Sequence, residues 1–528
     1  MNSSNHIRPY YREIDRVLPR RSAESYTKVY LVWHDQLMVD HFPEWVREER
    51  PLLLFIESAH KAQSRPYHKQ KLMFVLSAMR HFALECHQNG YPVWYESTPQ
   101  SFDQGLIRLM DKHKHWKLYH MEPNEWDSIQ ALKQVRSHTN RVTTYKNTFF
   151  LADIDEFKDR IKSGWRMEFF YREMRRKTGY LMEGELPAGG EWNYDKENRK
   201  KLPKNLSIPA TFQVEPDAVT LEVQNMIEDW FPHHFGETNS FAYAVTSDGA
   251  QRALEHFLHT RLHSFGPYED AMASGHSVLF HSKLSPYLNA GLLSASMVCE
   301  AAINYSVQHE TPIASIEGFI RQIIGWREYI RIYYHAMMPE IRTANYFGFT
   351  EDLPQLFWDS DTSLNCLRQC IKPVIEDAYA HHIPRLMVMS NFSNLTQTDP
   401  RQLNEWFWFS FIDAYEWVVL PNVLGMSTFA DGGILASKPY VAGGNYINKM
   451  SDYCSSCIYS VKEKTGDSAC PFNYLYWNFI DDQRETFQQN GRANFMVNTF
   501  DKKSVEEKQA IKNSAEKFLK QLPRKWRS

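Results

Sequence analysis

The sequence predicts an α/β domain followed by an all-α domain, with a long linker between them. Three observations carry this reading. Short apolar runs of buried-strand length alternate with helical periodicity from about residue 26 to 150. Charges and turn residues crowd residues 151–237. From 238 to 528 the periodicity is helical, with few strand signals.

The first domain reads in order. Residues 29–33 and 52–56 are apolar runs of strand length. Residues 71–86 repeat apolar side chains at helical spacing through Leu72, Val75, Leu76, Met79 and Phe82. Residues 92–95 return to strand character, and a helix follows near 102–113. Residues 116–119 are a strand again and 125–136 a helix. Such alternation implies a Rossmann-like parallel sheet covered by helices. Neither GxGxxG nor a P-loop is present, so an ordinary dinucleotide site is not signalled there.

The middle segment holds Lys158, Arg160, Lys162, Arg166, Arg172, Arg175, Arg176 and Lys177, then a loop around Gly189-Gly190, then Arg199-Lys200-Lys201-Leu202-Pro203-Lys204. Its charges fit a solvated helix face, or a face that meets phosphates. Residues 505–522 read as an amphipathic surface helix through Ile511, Phe518, Leu519 and Leu522.

Composition bounds the function. With 43% hydrophobic residues in 528, the chain can bury two or three cores. Its 15 Trp, 28 Tyr and 32 Phe suit stacking on flat rings such as flavin or bases. A formal charge of −3 excludes a uniformly basic nucleic-acid binder but not a local basic face. Residues 1–17 are polar, without the apolar stretch of a signal peptide, and the longest apolar run, 407–420, is broken by Asp413 and Glu416. A soluble, cytoplasmic, monomeric protein with no membrane partner is expected.

Chemistry concentrates between Cys366 and Cys470. Cys454-Ser455-Ser456-Cys457 is a CxxC pair, and Cys470 precedes Pro471. With Cys366 these make four candidate metal ligands, and Cys370 is a rival for the fourth place. Thiolates suit iron–sulfur and zinc alike. A disulfide is disfavoured without a secretory signal. The pair His381-His382 and the run Trp406-Phe407-Trp408-Phe409 lie in the same stretch, and together these groups suggest electron transfer. Upstream, Ser282-Lys283-Leu284-Ser285-Pro286 offers hydroxyls, a cation and a helix start, either a phosphate cradle or a plain helix cap. Gln322 and Gly325-Trp326-Arg327-Glu328-Tyr329 lie on the next strong helix, where an internal Arg327–Glu328 pair and a core Trp326 are the simple reading.

Taken together, these motifs resemble the cryptochrome/photolyase family. The run 282–288 is similar to its flavin-phosphate motif, 325–329 to its WRE helix, 381–387 to its paired-histidine segment and Phe411-Ile412-Asp413 to its flavin-contacting stretch. The resemblance covers nearly the whole chain and implies that the helical domain binds FAD through Tyr268, His281, Ser282, Lys283, Leu284, Ser285, Gln322, Trp326, Arg327, Arg385 and Asp413. The cysteines are similar to those of the iron–sulfur bacterial branch. That likeness implies a 4Fe-4S cluster on Cys366, Cys454, Cys457 and Cys470, with Cys370 a bystander, and an electron conduit through Trp406 and Trp358. It further implies a 6,7-dimethyl-8-ribityllumazine antenna near Glu57-Ser58-Ala59-His60, with Mg2+ as another candidate ligand. Two positions depart from the pattern: His281 stands for a hydroxyl residue and Lys283 for an Arg, and the Asn that faces flavin N5 is not at the expected spacing.

The activity so implied is light-driven repair of 6-4 photoproducts in UV-damaged DNA, with His382 as proton donor and His381 as its partner. The alternatives are a blue-light photoreceptor of the same fold, and a light-independent iron–sulfur nucleic-acid binder.

Overall fold

The computed structural model describes residues 25–203 and 205–526. The polar stretch 1–17 and Lys204 lie outside the described residues.

A five-stranded parallel sheet organises the first domain. Its strands are β1 (Lys28–Leu31), β2 (Leu52–Ser58), β3 (Val93–Thr98), β4 (Lys117–Met121) and β5 (Val142–Tyr145), in the order β3-β2-β1-β4-β5. Register pairs Tyr30 with Leu53 and with Tyr119. Side chains alternate across the sheet. Val29, Leu31, Leu52, Leu54 and Ile56 bury one face against Leu106, Leu109, Leu132 and Val135 of helices Phe102–Lys112 and Trp126–His138. Tyr30, Leu53 and Phe55 bury the other face, which continues into the main core of the molecule. Because both faces are covered, β2 is apolar almost throughout, which is why its sequence shows no alternation. The edge strand β5 is short and only partly buried, and sequence reasoning did not find it.

Helix Lys69–Gln88 covers the inner face, and its start is unusual. His68 is fully buried; its Nδ1 accepts from the Gln70 N–H at 3.1 Å and its Nε2 lies 3.0 Å from the Ile375 carbonyl. A neutral ring with its proton on Nε2 satisfies both partners.

Residues 151–237 hold more structure than a turn-rich linker would. Helices Ile154–Lys162, Met167–Thr178 and Ala218–Trp230 and the small hairpin Met182–Glu183/Leu186–Pro187 lie within it. The charges masked a helical apolar stripe: Phe157, Ile161, Phe170, Tyr171 and Met174 are buried. Trp192 of the loop is surrounded by the guanidinium groups of Arg176, Arg175 and Arg172, 4.6, 5.5 and 5.7 Å from its ring.

The remainder is helical. Helix Val505–Gln521 buries Ile511 and Ala515, and the Ser504 hydroxyl caps it by accepting from the Glu507 N–H. After Pro523 the chain turns back and pairs with 353–355: Gln355 N–H donates to the Pro523 carbonyl and Lys525 N–H to that of Leu353. Among the described residues no helix is long and apolar enough to cross a membrane.

Candidate active site

One cavity in the helical region collects most of the residues singled out above. His281, Ser282, Lys283, Ser285, Gln322, Trp326, Arg327, His381, His382, Arg385 and Asp413 all line it. Tyr268 and Leu284 do not. Tyr268 packs on Phe280, 5.5 Å between ring centres, and Leu284 is buried in the core just before helix Ser285–Ala290. Leu284, between the lining residues Lys283 and Ser285, turns into the core, and Tyr268 lies upstream of the 282–288 motif.

Asp413 ties the motifs together. Its carboxylate receives both terminal nitrogens of Arg385 at 3.0 Å and the Ser285 hydroxyl at 2.6 Å, and its carbonyl accepts from Asn289 Nδ2. The Arg385 guanidinium also lies 4.1 Å from the Phe411 ring. Pro286 sits in the first helical turn, where its missing N–H costs nothing, and Gly291, at φ 78°, ends the helix in a left-handed turn. A side chain at Gly291 would meet the Leu37 backbone at 2.8 Å. Lys283 lies 4.1 Å from the Tyr243 ring, and burial lowers its pKa to about 8.

Three π-helical stretches supply cavity walls: Arg321–Arg327, Pro384–Ser390 and Pro421–Ser427. Such single-turn widenings cluster at functional sites, because an extra residue re-aims the side chains beside it. Arg327 donates to Glu328 at 3.2 Å, as the sequence suggested. Glu328 in turn accepts from the Leu151 and Ala152 N–H groups, which joins this helix to the end of the first domain. Trp326 is only half-buried and faces the cavity.

The histidines form a stack. His281 and His381 lie 4.2 Å apart with rings nearly parallel. Burial lowers the His281 pKa to about 4, and that of His381 falls well below the usual value, through burial and then the neighbouring His281, His382 and Arg385. His382 is different. It is crowded by protein, which with Arg385 lowers its pKa to about 4, yet its ring surface is exposed, to the cavity it lines. Three buried polar atoms on lining residues lack a partner, His381 Nδ1, Arg327 Nε and Trp417 Nε1. Together with the Lys283 and Arg385 cations, they suit a polar, anionic ligand.

Sequence reasoning missed Glu269, Asn289, Tyr379 and Asn422 as lining residues. Glu269 accepts from Gln322 Nε2 and from Asn198 Nδ2, and burial raises its pKa to about 7. Only the fold brings these residues to the cavity.

The two indoles are buried beside the site. Phe407 lines the cavity, and its ring centre is 5.2 Å from that of Trp406. Phe235 lies 6.4 Å from Trp406 and 6.1 Å from Trp358. Each indole N–H donates to a backbone carbonyl at 3.0 Å, Trp406 to Phe357 and Trp358 to Lys525.

The cysteines gather on another side of the domain. The Cys366 thiol is pushed well above its usual range by burial and then by Cys370, Cys470, Cys454 and Cys457. A side chain at Gly444 would come within 2.9 Å of Cys470 Sγ, so glycine leaves room there. No group of three or more His, Cys, Asp or Glu among the described residues is arranged to hold a single metal ion. The four candidate donors are all thiols, with no nitrogen or oxygen among them, the donor type common to iron–sulfur and zinc sites.

A second cavity opens where the first domain meets the helical region. Glu57, Ser58 and His60 line it, with Lys61, Arg65 and Trp408. The Arg65 guanidinium stacks 3.7 Å from the Trp408 ring, and the Glu57 carboxylate is held by Arg80 at 3.0 Å and the Tyr95 hydroxyl at 2.7 Å.

Comparison with known proteins agrees with this geometry. The profile of the deoxyribodipyrimidine photo-lyase-related protein family matches residues 30–243. A (6-4) photolyase of Agrobacterium fabrum is 41% identical over 492 residues, covering 90% of this chain and 96% of the relative. The crystal structure of a bacterial class III photolyase from Agrobacterium tumefaciens superposes with a TM-score of 0.56 at 14% identity, over 92% of this chain and 100% of that one. A Synechocystis cryptochrome gives 0.54 at 13%, over 94% and 100%. These two show the same fold. The length and identity of the Agrobacterium fabrum match show the family: this chain belongs to the photolyase family, on the branch of the bacterial (6-4) photolyase.

Proposed function

We propose that this protein repairs 6-4 photoproducts in UV-damaged DNA by light, with FAD in the cavity between Ser285 and His382. The observation that carries the reading is the convergence of four separate motifs on one cavity, joined through Asp413, in a chain 41% identical to a (6-4) photolyase.

FAD, when bound, supplies the light-absorbing electron donor. The chain's own residues bind, orient and move protons. Ser282, Lys283 and Ser285 lie at the start of a helix, where hydroxyls and a cation suit phosphate. Arg385, fixed by Asp413, holds a positive charge at the cavity wall. His382 is the proton donor toward the lesion. Burial and the Arg385 charge lower its pKa to about 4, so its protonation is tied to binding: the negative charge of DNA phosphates raises an imidazole pKa. His381 and His281, stacked and more deeply buried, stay neutral and position it.

The four thiols of Cys366, Cys454, Cys457 and Cys470 suit a 4Fe-4S cluster, and Cys370, the thiol that acts most strongly on Cys366, is engaged instead in a hydrogen bond with Tyr453. The second cavity suits a 6,7-dimethyl-8-ribityllumazine antenna, with Trp408 and Tyr415 to stack on it and Lys61 and Arg65 to meet its polar edge. The test is direct. Pre-reduced protein is illuminated with an oligonucleotide carrying one 6-4 photoproduct, with and without EDTA to read a Mg2+ requirement, and the DNA is analysed by chromatography. Restored bases support repair. Intact lesions under every condition overturn it and leave the photoreceptor reading.

A further inference from the structure

The two cavities share one wall. It is the stretch that joins helix Pro400–Ser410 to helix Glu416–Leu420. Phe407, Asp413 and Trp417 face the first cavity, and Trp408, Ala414 and Tyr415 face the second. One length of backbone therefore meets both.

The first domain ties that wall down. Lys71, buried in the first turn of helix Lys69–Gln88, donates to the carbonyls of both Trp408 and Ala414. The His68 N–H donates to the Phe409 carbonyl at 2.8 Å. Trp408 and Phe409 lie in the last turn of their helix, where carbonyls have no acceptor role within the helix, so the first domain supplies their donors. Burial lowers the Lys71 pKa to about 7. A neutral amine still has an N–H for each carbonyl, so the tie does not depend on charge. Its two anchor points bracket Asp413, whose carboxylate holds Arg385 and Ser285 at the first cavity.

The second cavity offers another hold on the same backbone. The Tyr415 hydroxyl is buried there without a partner. The Trp408 ring stands beside it, with the Arg65 guanidinium 3.7 Å away. A flat ligand with a polar edge would pack on Trp408 and satisfy Tyr415, fixing the stretch that Lys71 also fixes.

We propose that Lys71 positions Asp413 for flavin binding, and that the ligand of the second cavity shares this task by packing on the same wall. This rests on the readings that FAD fills the first cavity and 6,7-dimethyl-8-ribityllumazine the second. Lys71 is a positioning residue, since it acts on the first cavity only through Asp413. The coupling is reciprocal: whatever one ligand gains from the other, the other gains from it.

The experiment uses the full chain purified without lumazine and loaded with FAD. The parent is compared with Lys71→Met, which keeps the side chain's length and removes its N–H groups. FAD release is followed by FAD fluorescence, with and without added 6,7-dimethyl-8-ribityllumazine, whose own spectrum reports its binding. In Lys71→Met, FAD leaves about 5-fold faster or more, the lower end of ordinary coupling between sites, and lumazine recovers most of that loss. In the parent, lumazine slows release by a smaller factor. Hydrogen exchange of the 409–415 amides rises in the variant and falls again with lumazine. Lys71→Gln, too short to span both carbonyls, carries the same expectation where Lys71→Met folds poorly. Release at the parental rate from the variants overturns the role of Lys71. Faster release that bound lumazine leaves unchanged is general damage, and overturns the shared wall. A parent that binds no lumazine refutes the reading of the second cavity, and one that keeps no FAD refutes that of the first; the proposal falls with either.

Discussion

Arg385 and Asp413 face each other in a two-pronged ion pair, Nη1 to Oδ1 and Nη2 to Oδ2, both at 3.0 Å. The pair joins the histidine segment to the stretch that follows the aromatic run. Both groups are mostly shielded, so each depends on the other for its partner. Asp413→Asn leaves Arg385 without a counter-charge and weakens the Ser285 contact. The expected loss is about 2–3 kcal/mol in stability, the scale of hydrogen bonds to charged groups. It is measured by denaturant unfolding, and the purified variant should hold less flavin per chain than the parent.

His382→Asn tests the proton donor. It should retain flavin and lesion affinity while repair falls by about 10²–10⁴-fold. In the parent, repair should rise as pH falls, because only the protonated imidazole donates. The apparent pKa with DNA bound should lie above the value of about 4 that burial and Arg385 impose. The variant should lose that limb of the profile. Repair at the parental rate would move the role to another residue.

The buried histidines predict acid instability. Burial lowers His68 and His120 to about 4. Unfolded, each binds a proton near 6.5, so below that pH the unfolded chain holds more protons than the folded one. Stability is therefore full above about pH 6.5 and falls as pH drops toward 4. Each fully buried ring accounts for up to about 3 kcal/mol over that window. For His68 the cause is visible: protonating Nδ1 removes the acceptor that caps helix Lys69–Gln88. Unfolding midpoints measured across pH 4–7 check this, and His68→Asn, which keeps a capping acceptor, should flatten the slope.

The cysteines make a compositional prediction. Protein purified without air should contain about four irons per chain. Cys457→Ala should lose iron and folded yield together, since metal binding and folding are coupled. Cys370→Ala should keep its iron. Zinc in place of iron would overturn the cluster.

How far the sequence reached differs by feature. β1 and β2 were legible because they are short, buried and nearly all apolar, and β3 and β4 through the apolar residues Val93, Trp94, Leu118 and Tyr119, whereas the short helices Glu44–Glu49 and Ala59–Gln63 between them were not. β5 was not, since its four residues are only partly buried. Helices Ile154–Lys162 and Met167–Thr178 were hidden under their own surface charges. At the site, motif residues such as Ser285 and Arg385 were found through the resemblance of their short motifs to those of the family. Glu269 and Asn422 were not, because they reach the cavity only through packing between distant segments. The ring stack of His281 on His381 joins residues 100 positions apart, beyond any local pattern.

The three widened turns in the cavity wall make the site intolerant of length change there. Each π-helical stretch carries one more residue than an α-turn would need. Deleting a single residue from 321–327 lets an ordinary α-turn close with the helix on either side still in phase. Glu328 then keeps the Leu151 and Ala152 amides, so the fold survives. What is lost is the widened backbone that carries Gln322, Trp326 and Arg327 to the cavity. One-residue deletions in these walls should therefore spare stability more than flavin binding.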